Sequence, residues 1–352
     1  MTADEARARL RTLATNTLGL APSAMVDARV DSALLTLTPA GDATAALDAL
    51  ATLSIDAPLW QAVVNALTVG ETNFFRQPGW FAQLETQILR PAIERRRKDG
   101  PTVLRIWSAG CASGEEAYSL AMIVMRLLPR TDDWQISIVG TDVSDAFLAT
   151  AQRAVYREWS LRDVDAAVRQ QHFHRLASGR FELQASTRAM VTFERLNLAA
   201  ADAWDARLTG FDLIVCRNVL MYFAPERQRA IAQRLVGRLA PDGWLATAPA
   251  EATAEWFQPL TPVNVPSAVL FRHASAAERA SVPRDDAHMK PVVVPRQARD
   301  DMGARDDMGA RGDMGARGDV GGGQAGTELG DSAVALAVAR RSLDLSIRRS
   351  GE

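Results

Sequence analysis

The chain has only two cysteines, Cys111 and Cys216, far apart in sequence and outside any Cys-x-x-Cys pair or other zinc-ligand spacing. Their scarcity predicts free thiols in a reducing cytoplasm. An excess of positive charge is also missing. Forty Lys and Arg stand against 42 Asp and Glu, for a formal net charge of -2 and a pI near 6.2. Composition therefore gives no bulk field to hold a phosphate backbone, and no nucleic-acid partner is predicted. Long apolar runs are absent as well. The most apolar stretch, 120–128, is broken by Arg126 and stopped by Pro129, short of the roughly 20 residues a membrane span needs. The N-terminus, MTADEARARLRTLA, carries acids where a secretory leader has a basic start. A soluble, cytoplasmic protein without membrane insertion is expected. His172 and His174 form a His-x-His pair with no third ligand nearby, so no metal site is predicted.

What is present fits two folded units and a tail, since domains usually hold about 100–200 residues. Residues 1–70 read as an N-terminal helical domain of short Ala- and Leu-rich helices, broken at Gly19, Pro22, Pro39, Gly41 and Pro58. A connecting helix is predicted within 71–100, over 78–98, ending in the basic run Arg95, Arg96, Arg97, Lys98, which suits the negative end of a helix dipole. From 101 to 273 the strand-like runs TVLRIW, QISIVG, MVTFER, FDLIVC and GWLATA alternate with helices around 115–128, 145–156 and 225–239. That alternation predicts an α/β fold: a Rossmann-like parallel sheet with helices on both faces and ligands beyond the carboxyl ends of its strands. A small inserted subdomain is predicted at about 160–189, with a helix containing 161–171 followed by GRFELQ. Residues 274–330, with the hexapeptide repeat DMGARD, DMGARG, DMGARG, read as a disordered low-complexity linker, and 331–352 as a helix or frayed tail.

Chemistry concentrates in RIWSAGCASGEEAYSLAM, a strand followed by a small-residue loop that opens a helix. Ala109, Gly110, Ala112, Ser113 and Gly114 let a ligand approach the backbone. The run lacks both the G-x-G-x-x-G spacing of dinucleotide sites and the Gly-Lys-Ser/Thr ending of phosphate loops. It places Glu115 and Glu116 at the helix start, where acids either complement the dipole or attract a cationic ligand such as S-adenosylmethionine. Asp142, at the end of QISIVGTD, either accepts hydrogen bonds from ribose hydroxyls or caps the next helix, a task that Ser144 or Asp145 could also perform.

Three more segments complete the pattern: GETNFFRQPGWF at 70–81, ERLNLA at 194–199 and FDLIVCRNVLMYF at 211–223. With these, residues 5–273 resemble the CheR family of chemotaxis receptor protein-glutamate O-methyltransferases. The resemblance implies a class I S-adenosylmethionine-dependent methyltransferase. Its cofactor would be contacted or enclosed by Thr72, Arg76, Glu115, Asp142, Asn197, Leu198, Arg217 and Asn218, with Tyr222 near the transferring methyl and Arg217 or Tyr222 orienting the incoming carboxylate. Phe74, Phe75, Trp80 and Phe81 read as core. The implied partner is the cytoplasmic domain of a methyl-accepting chemoreceptor or a receptor-like signalling protein; the oligomeric state is not specified. A methyltransferase with a substrate outside chemotaxis and a catalytically faded regulatory module are the other readings.

The chain departs from the family pattern in four places. Residues 1–70 carry four arginines against seven acids, which does not favour docking through a basic N-terminal helix. Gly70 stands where the family commonly has Asn, which would remove a hydrogen bond to the cofactor. APAEAT at 248–253 replaces Gly-His-Ser-Glu, leaving only Glu251 recognisable. The insert also looks short for binding a receptor tail.

Overall fold

Thr2 and Glu5 start helix α1 (Ala3–Leu18) by capping each other: the Glu5 N–H donates to Thr2 Oγ1, and the Thr2 N–H to Glu5 Oε2. Ala6, Leu10, Ala14 and Leu18 recur every fourth position and are buried, so one face of the helix turns inward. In the computed structural model, which describes residues 1–37, 42–130, 133–200, 204–265 and 268–274, α2 (Ala24–Leu37), α3 (Ala43–Thr52) and α4 (Pro58–Leu67) follow. Pro58 begins α4 rather than merely breaking the chain, because a first-turn residue needs no N–H. The four helices share a core that includes Leu10, Val30, Leu47, Trp60 and Val63. The arginines of α1 are held by neighbouring acids: Arg7 by Asp4 and Asp31, Arg9 by Asp48 and Arg11 by Asp27.

The expected connecting helix is three pieces: α5 (Pro78–Gln83), a π turn over Leu84–Leu89, and α6 (Arg90–Asp99). Pro91 has no N–H to donate, and the wide turn just before it bonds the Arg90 N–H to the Glu85 carbonyl. The basic run does more than face a dipole. Arg96 pairs with Asp212 at 2.6 Å, and the other Asp212 oxygen accepts the Arg105 N–H at 2.9 Å.

The large sheet is built from β1 (Val103–Ala109), β2 (Gln135–Asp142), β6 (Val191–Arg195), β7 (Phe211–Val215), β8 (Leu239–Thr247), β9 (Leu260–Val265) and β10 (Ala268–His273), in the order β6-β2-β1-β7-β8-β10-β9. The first five are mutually parallel, and β10 runs antiparallel to both its neighbours. Side chains alternate faces as strand geometry requires. Leu104, Ile106, Leu213 and Ala246 enter the core under α7 (Glu115–Leu127), while Trp107, Ile214 and Leu245 enter the one under α11 (Pro225–Val236). Two strands, β9 and β10, were not expected. Pro262 weakens the strand signal of β9, and the sheet tolerates it because β9 is an edge strand.

After α8 (Asp145–Arg153), the inserted substructure begins at Val155 rather than about Ser160. It is a three-stranded sheet in the order β3-β5-β4, made of β3 (Val155–Tyr156), β4 (Phe173–Arg175) and β5 (Phe181–Leu183). The expected helix over 161–171 is shorter, α9 (Ala166–His172), because Asp165 caps it by accepting the Ala167 N–H. A single turn, α10 (Ala185–Arg188), leads back to β6. His172 meets Thr187 Oγ1 through Nδ1 at 2.9 Å, while His174 is exposed. No described helix is long and apolar enough to cross a membrane. Apart from Ala274, the linker expected over 274–330 and the tail over 331–352 lie outside the described residues.

Candidate active site

The loop between β1 and α7 is bound to the tip of β2. Gly110 and Cys111 N–H groups both donate to the Thr141 carbonyl, at 2.8 and 2.9 Å, and the Ala112 N–H donates to Asp142 Oδ2 at 2.9 Å. Gly110 has φ of 79°, and a Cβ there would lie 2.5 Å from a Val219 methyl, so two loops meet at a point only glycine fits. The second Asp142 oxygen accepts the Ser144 N–H at 3.0 Å, and Ser144 itself caps α8. Asp142 is therefore not the helix cap. Each carboxylate oxygen keeps acceptor capacity beyond one backbone bond, and burial raises the carboxyl above its ordinary range.

Glu115 and Glu116 diverge at the start of α7. Glu115 is buried and accepts from Ser113 Oγ at 2.7 Å; burial raises its carboxyl, opposed by hydrogen bonds and by the charge of Arg162. Glu116 accepts from Ser108 Oγ at 2.8 Å. Burial raises it too, and Arg217 and Arg76 counter that rise.

Arg217 lies with its guanidinium 4.3 Å above the Trp80 ring, donating to the Arg76 carbonyl at 3.2 Å and to the Gln77 side chain. Its Nε is buried and has no acceptor among the described residues. Arg105 and Arg169 leave the same nitrogen idle, so what sets Arg217 apart is a largely buried cation close enough to Glu116 and Glu251 to feel their charge. Trp80, expected as core, is indeed fully buried, but it also forms the floor beneath Arg217. Arg76 is partly buried and donates to the Glu71 carbonyl at 2.8 Å.

Asn218, Val219 and Tyr222 occupy one turn after β7, and Glu251 organises it. The buried Glu251 carboxylate accepts the N–H groups of Asn218, Val219 and Met221 at 2.7, 2.6 and 3.2 Å. Asn218 is held there at φ of 59°. Tyr222 is half-buried, its phenol raised by burial, with Arg76 the leading influence in the opposite direction. Its carbonyl accepts the Ala21 N–H at 2.8 Å, which ties this turn to the loop after α1.

Two expected site residues are engaged within the protein. Asn197 donates to the Thr17 carbonyl at 2.8 Å and accepts the Ala199 N–H at 3.0 Å, and Leu198 is buried in the core under α11. Thr72 is partly buried in the segment that Asn73 anchors, Asn73 donating to Asp163 and accepting from Arg162. Among the described residues, no hydrogen bond joins Thr72, Asn197 or Leu198 to Arg217 or Glu115. Sequence reading missed the anchoring role of Glu251 and the Gln77 contact. The one surviving letter of the 248–253 motif was the only available signal for Glu251.

Gly70 has a packing reason. A Cβ there would lie 2.4 Å from the Phe147 ring, so that ring fills the space a side chain would need. Gly70→Asn is expected to lower unfolding stability by about 1–3 kcal/mol through overpacking. Adding Phe147→Ala should make the Asn substitution less costly than it is alone, as read by urea titration of the four-member mutant cycle.

Residues 70–265 match the family described as CheR methyltransferase, SAM binding domain. The chain is 36% identical over 186 residues to a probable chemotaxis protein methyltransferase of Rhizobium etli, covering 52% of this chain and 68% of that one. It is also 36% identical over 199 residues to chemotaxis protein methyltransferase 1 of Pseudomonas aeruginosa, covering 55% and 70%. A third relative, the probable biofilm formation methyltransferase WspC of Pseudomonas aeruginosa, is 34% identical over 226 residues, covering 64% of this chain and 51% of that one.

Proposed function

Because the chain belongs to the CheR methyltransferase family and its 70–265 region is an S-adenosylmethionine-binding domain, we propose that it methylates glutamate side chains of a chemoreceptor-type protein. The observation that carries this reading is that Glu116, at the start of the helix opened by the 110–114 loop, feels the charge of the buried Arg217, so the loop tied to Asp142 and the turn after β7 present groups of opposite sign. A buried acid at the tip of β2 suits a ribose, and a buried arginine suits a carboxylate.

When bound, S-adenosylmethionine supplies a methyl group already made electrophilic by its sulfonium. A glutamate is ionised at neutral pH, so transfer to it needs no general base. The protein's work is positioning, which can remove on the order of 7–11 kcal/mol of barrier. In this reading Asp142 holds the ribose hydroxyls, while Glu115 and Glu116 provide a negative environment for the cationic end. Arg217, fixed by Trp80 and Gln77, orients an incoming carboxylate through its charge, and Tyr222 stands near the transferring methyl. Asn218 borders the site, and Thr72, Asn197 and Leu198 shape its walls. Arg76 adds positive charge near Tyr222 and Glu116.

A second reading has one specific support. The match to WspC spans more of this chain than either chemotaxis relative does, which favours a receptor-like signalling protein outside chemotaxis as substrate. Mass spectrometry of receptors and receptor-like proteins from cells with and without this protein tests both. A glutamate methyl ester that depends on the protein identifies the substrate, and its absence from every such protein rejects both readings.

The raised carboxyls of Asp142 and Glu115 make cofactor binding pH-dependent. A carboxyl raised by folding contributes stability below its unfolded pKa, and that contribution disappears as pH rises through the folded value. Both acids are therefore least content when ionised and unliganded, and a cationic ligand relieves them. The rise in Tm caused by a fixed S-adenosylmethionine concentration is expected to be larger at about pH 7 than at about pH 5. An equal or larger rise at the lower pH contradicts the role of these acids.

A further inference from the structure

Large apolar side chains are exposed at only four places among the described residues: Met1, Leu35, Trp159 and Met221. Two of them adjoin segments that carry candidate site residues. Met221 precedes Tyr222. Trp159, 70% exposed, precedes Ser160, whose carbonyl accepts the Phe74 N–H at 2.9 Å. An isolated exposed apolar residue means little, but this tryptophan is held in place. The Arg162 guanidinium lies 4.4 Å from its ring centre and donates to the Trp159 carbonyl at 2.9 Å and to Asn73 Oδ1 at 2.7 Å.

Arg162 is exposed, and both of its hydrogen-bond partners are neutral. No carboxylate among the described residues lies within ion-pair distance of it, although Glu115 senses its charge from further away. The neighbouring acids are otherwise engaged: Glu158 pairs with Arg169, Asp163 accepts from Asn73, and Asp165 caps α9. The arginines of α1 present the opposite case, since Arg7, Arg9 and Arg11 are all neutralised by acids of the helical unit.

We propose that Trp159 and Arg162 form a docking ridge for an acidic, amphipathic protein segment, the tryptophan covering an apolar side chain and the arginine taking a carboxylate beside it. The proposal deepens the glutamate-methylation reading and rests on it: the ridge is bonded to the 72–76 segment, Arg162 through Asn73 and Ser160 through Phe74, so a segment that presents a glutamate to the site could set flanking carboxylates against it. A preordered aromatic beside a cation matches the composition of binding hot spots.

The test uses the full chain and a labelled synthetic peptide of Glu, Leu and Ala, with a counterpart in which every Glu is Lys. Fluorescence anisotropy should show the acidic peptide binding, binding weakening as salt rises, and the Lys peptide failing to bind. Trp159→Ala should weaken acidic-peptide binding about 10-fold or more. Because Trp159 is exposed, S-adenosylmethionine affinity should stay within about twofold, which also reports on folding. No binding of the acidic peptide, equal binding of both peptides, or a Trp159→Ala variant that binds as tightly as the parent overturns the proposal. Methyl-ester formation is scored separately. Peptide bound through Trp159 without ester supports the ridge and counts against the glutamate reading alone.

Discussion

Arg217→Ala is expected to lower methyl transfer to a carboxylate acceptor about 10²–10³-fold, the range seen when one preorganised donor is removed from a site of developing charge. The cofactor affinity should fall less than about 10-fold. The reason is the environment of the side chain. Trp80 lies beneath the guanidinium, the Arg76 carbonyl and Gln77 fix two of its nitrogens, and Nε alone is left without an acceptor. Arg217→Lys keeps the charge but loses the planar fork, so its activity should lie between the parent and the Ala variant. Calorimetry with S-adenosylhomocysteine and a labelled-methyl assay separate the two quantities. Equal loss of affinity and turnover in Arg217→Ala rejects an orienting role.

Asp142→Asn is expected to weaken S-adenosylmethionine binding about 10- to 100-fold, since hydrogen bonds to a charged group contribute about 1.5–3 kcal/mol. The amide oxygen can still accept one of the N–H groups from Ala112 and Ser144, so the loop keeps part of its anchorage. The substitution also removes the charge that burial already opposes. Stability of the unliganded protein should change less than affinity does, and a loss of fold that matches the loss of binding contradicts the assignment.

How far the sequence could be read depended on burial and on distance along the chain. The central parallel strands β1 and β7, and the second half of β2, are buried among layers of helix, so they appear as short apolar runs. At the margins the signal fails. β9 contains Pro262, and β3, β4 and β5 have two or three residues each, too few for any periodicity to show. The same limit governed the site. The loop from Gly110 to Glu115 is local and was legible, as was the acid at the end of β2. Glu251 acts across about thirty residues by accepting backbone N–H groups, a role no residue pattern displays. Gly70 read as a missing hydrogen bond because its true neighbour, Phe147, lies in a later helix. Asn197, read as contacting the cofactor or shaping its pocket, also donates its amide to the carbonyl of Thr17 in α1, a partner too distant in the chain for any residue pattern to display.

Cocrystallisation with S-adenosylhomocysteine tests the central claim most directly. The account predicts ribose hydroxyls within hydrogen-bond distance of the Asp142 carboxylate, with the amino-acid end lying against the loop that leads into Glu115. A ligand bound elsewhere, with Asp142 still meeting only backbone N–H groups of the protein, would contradict it.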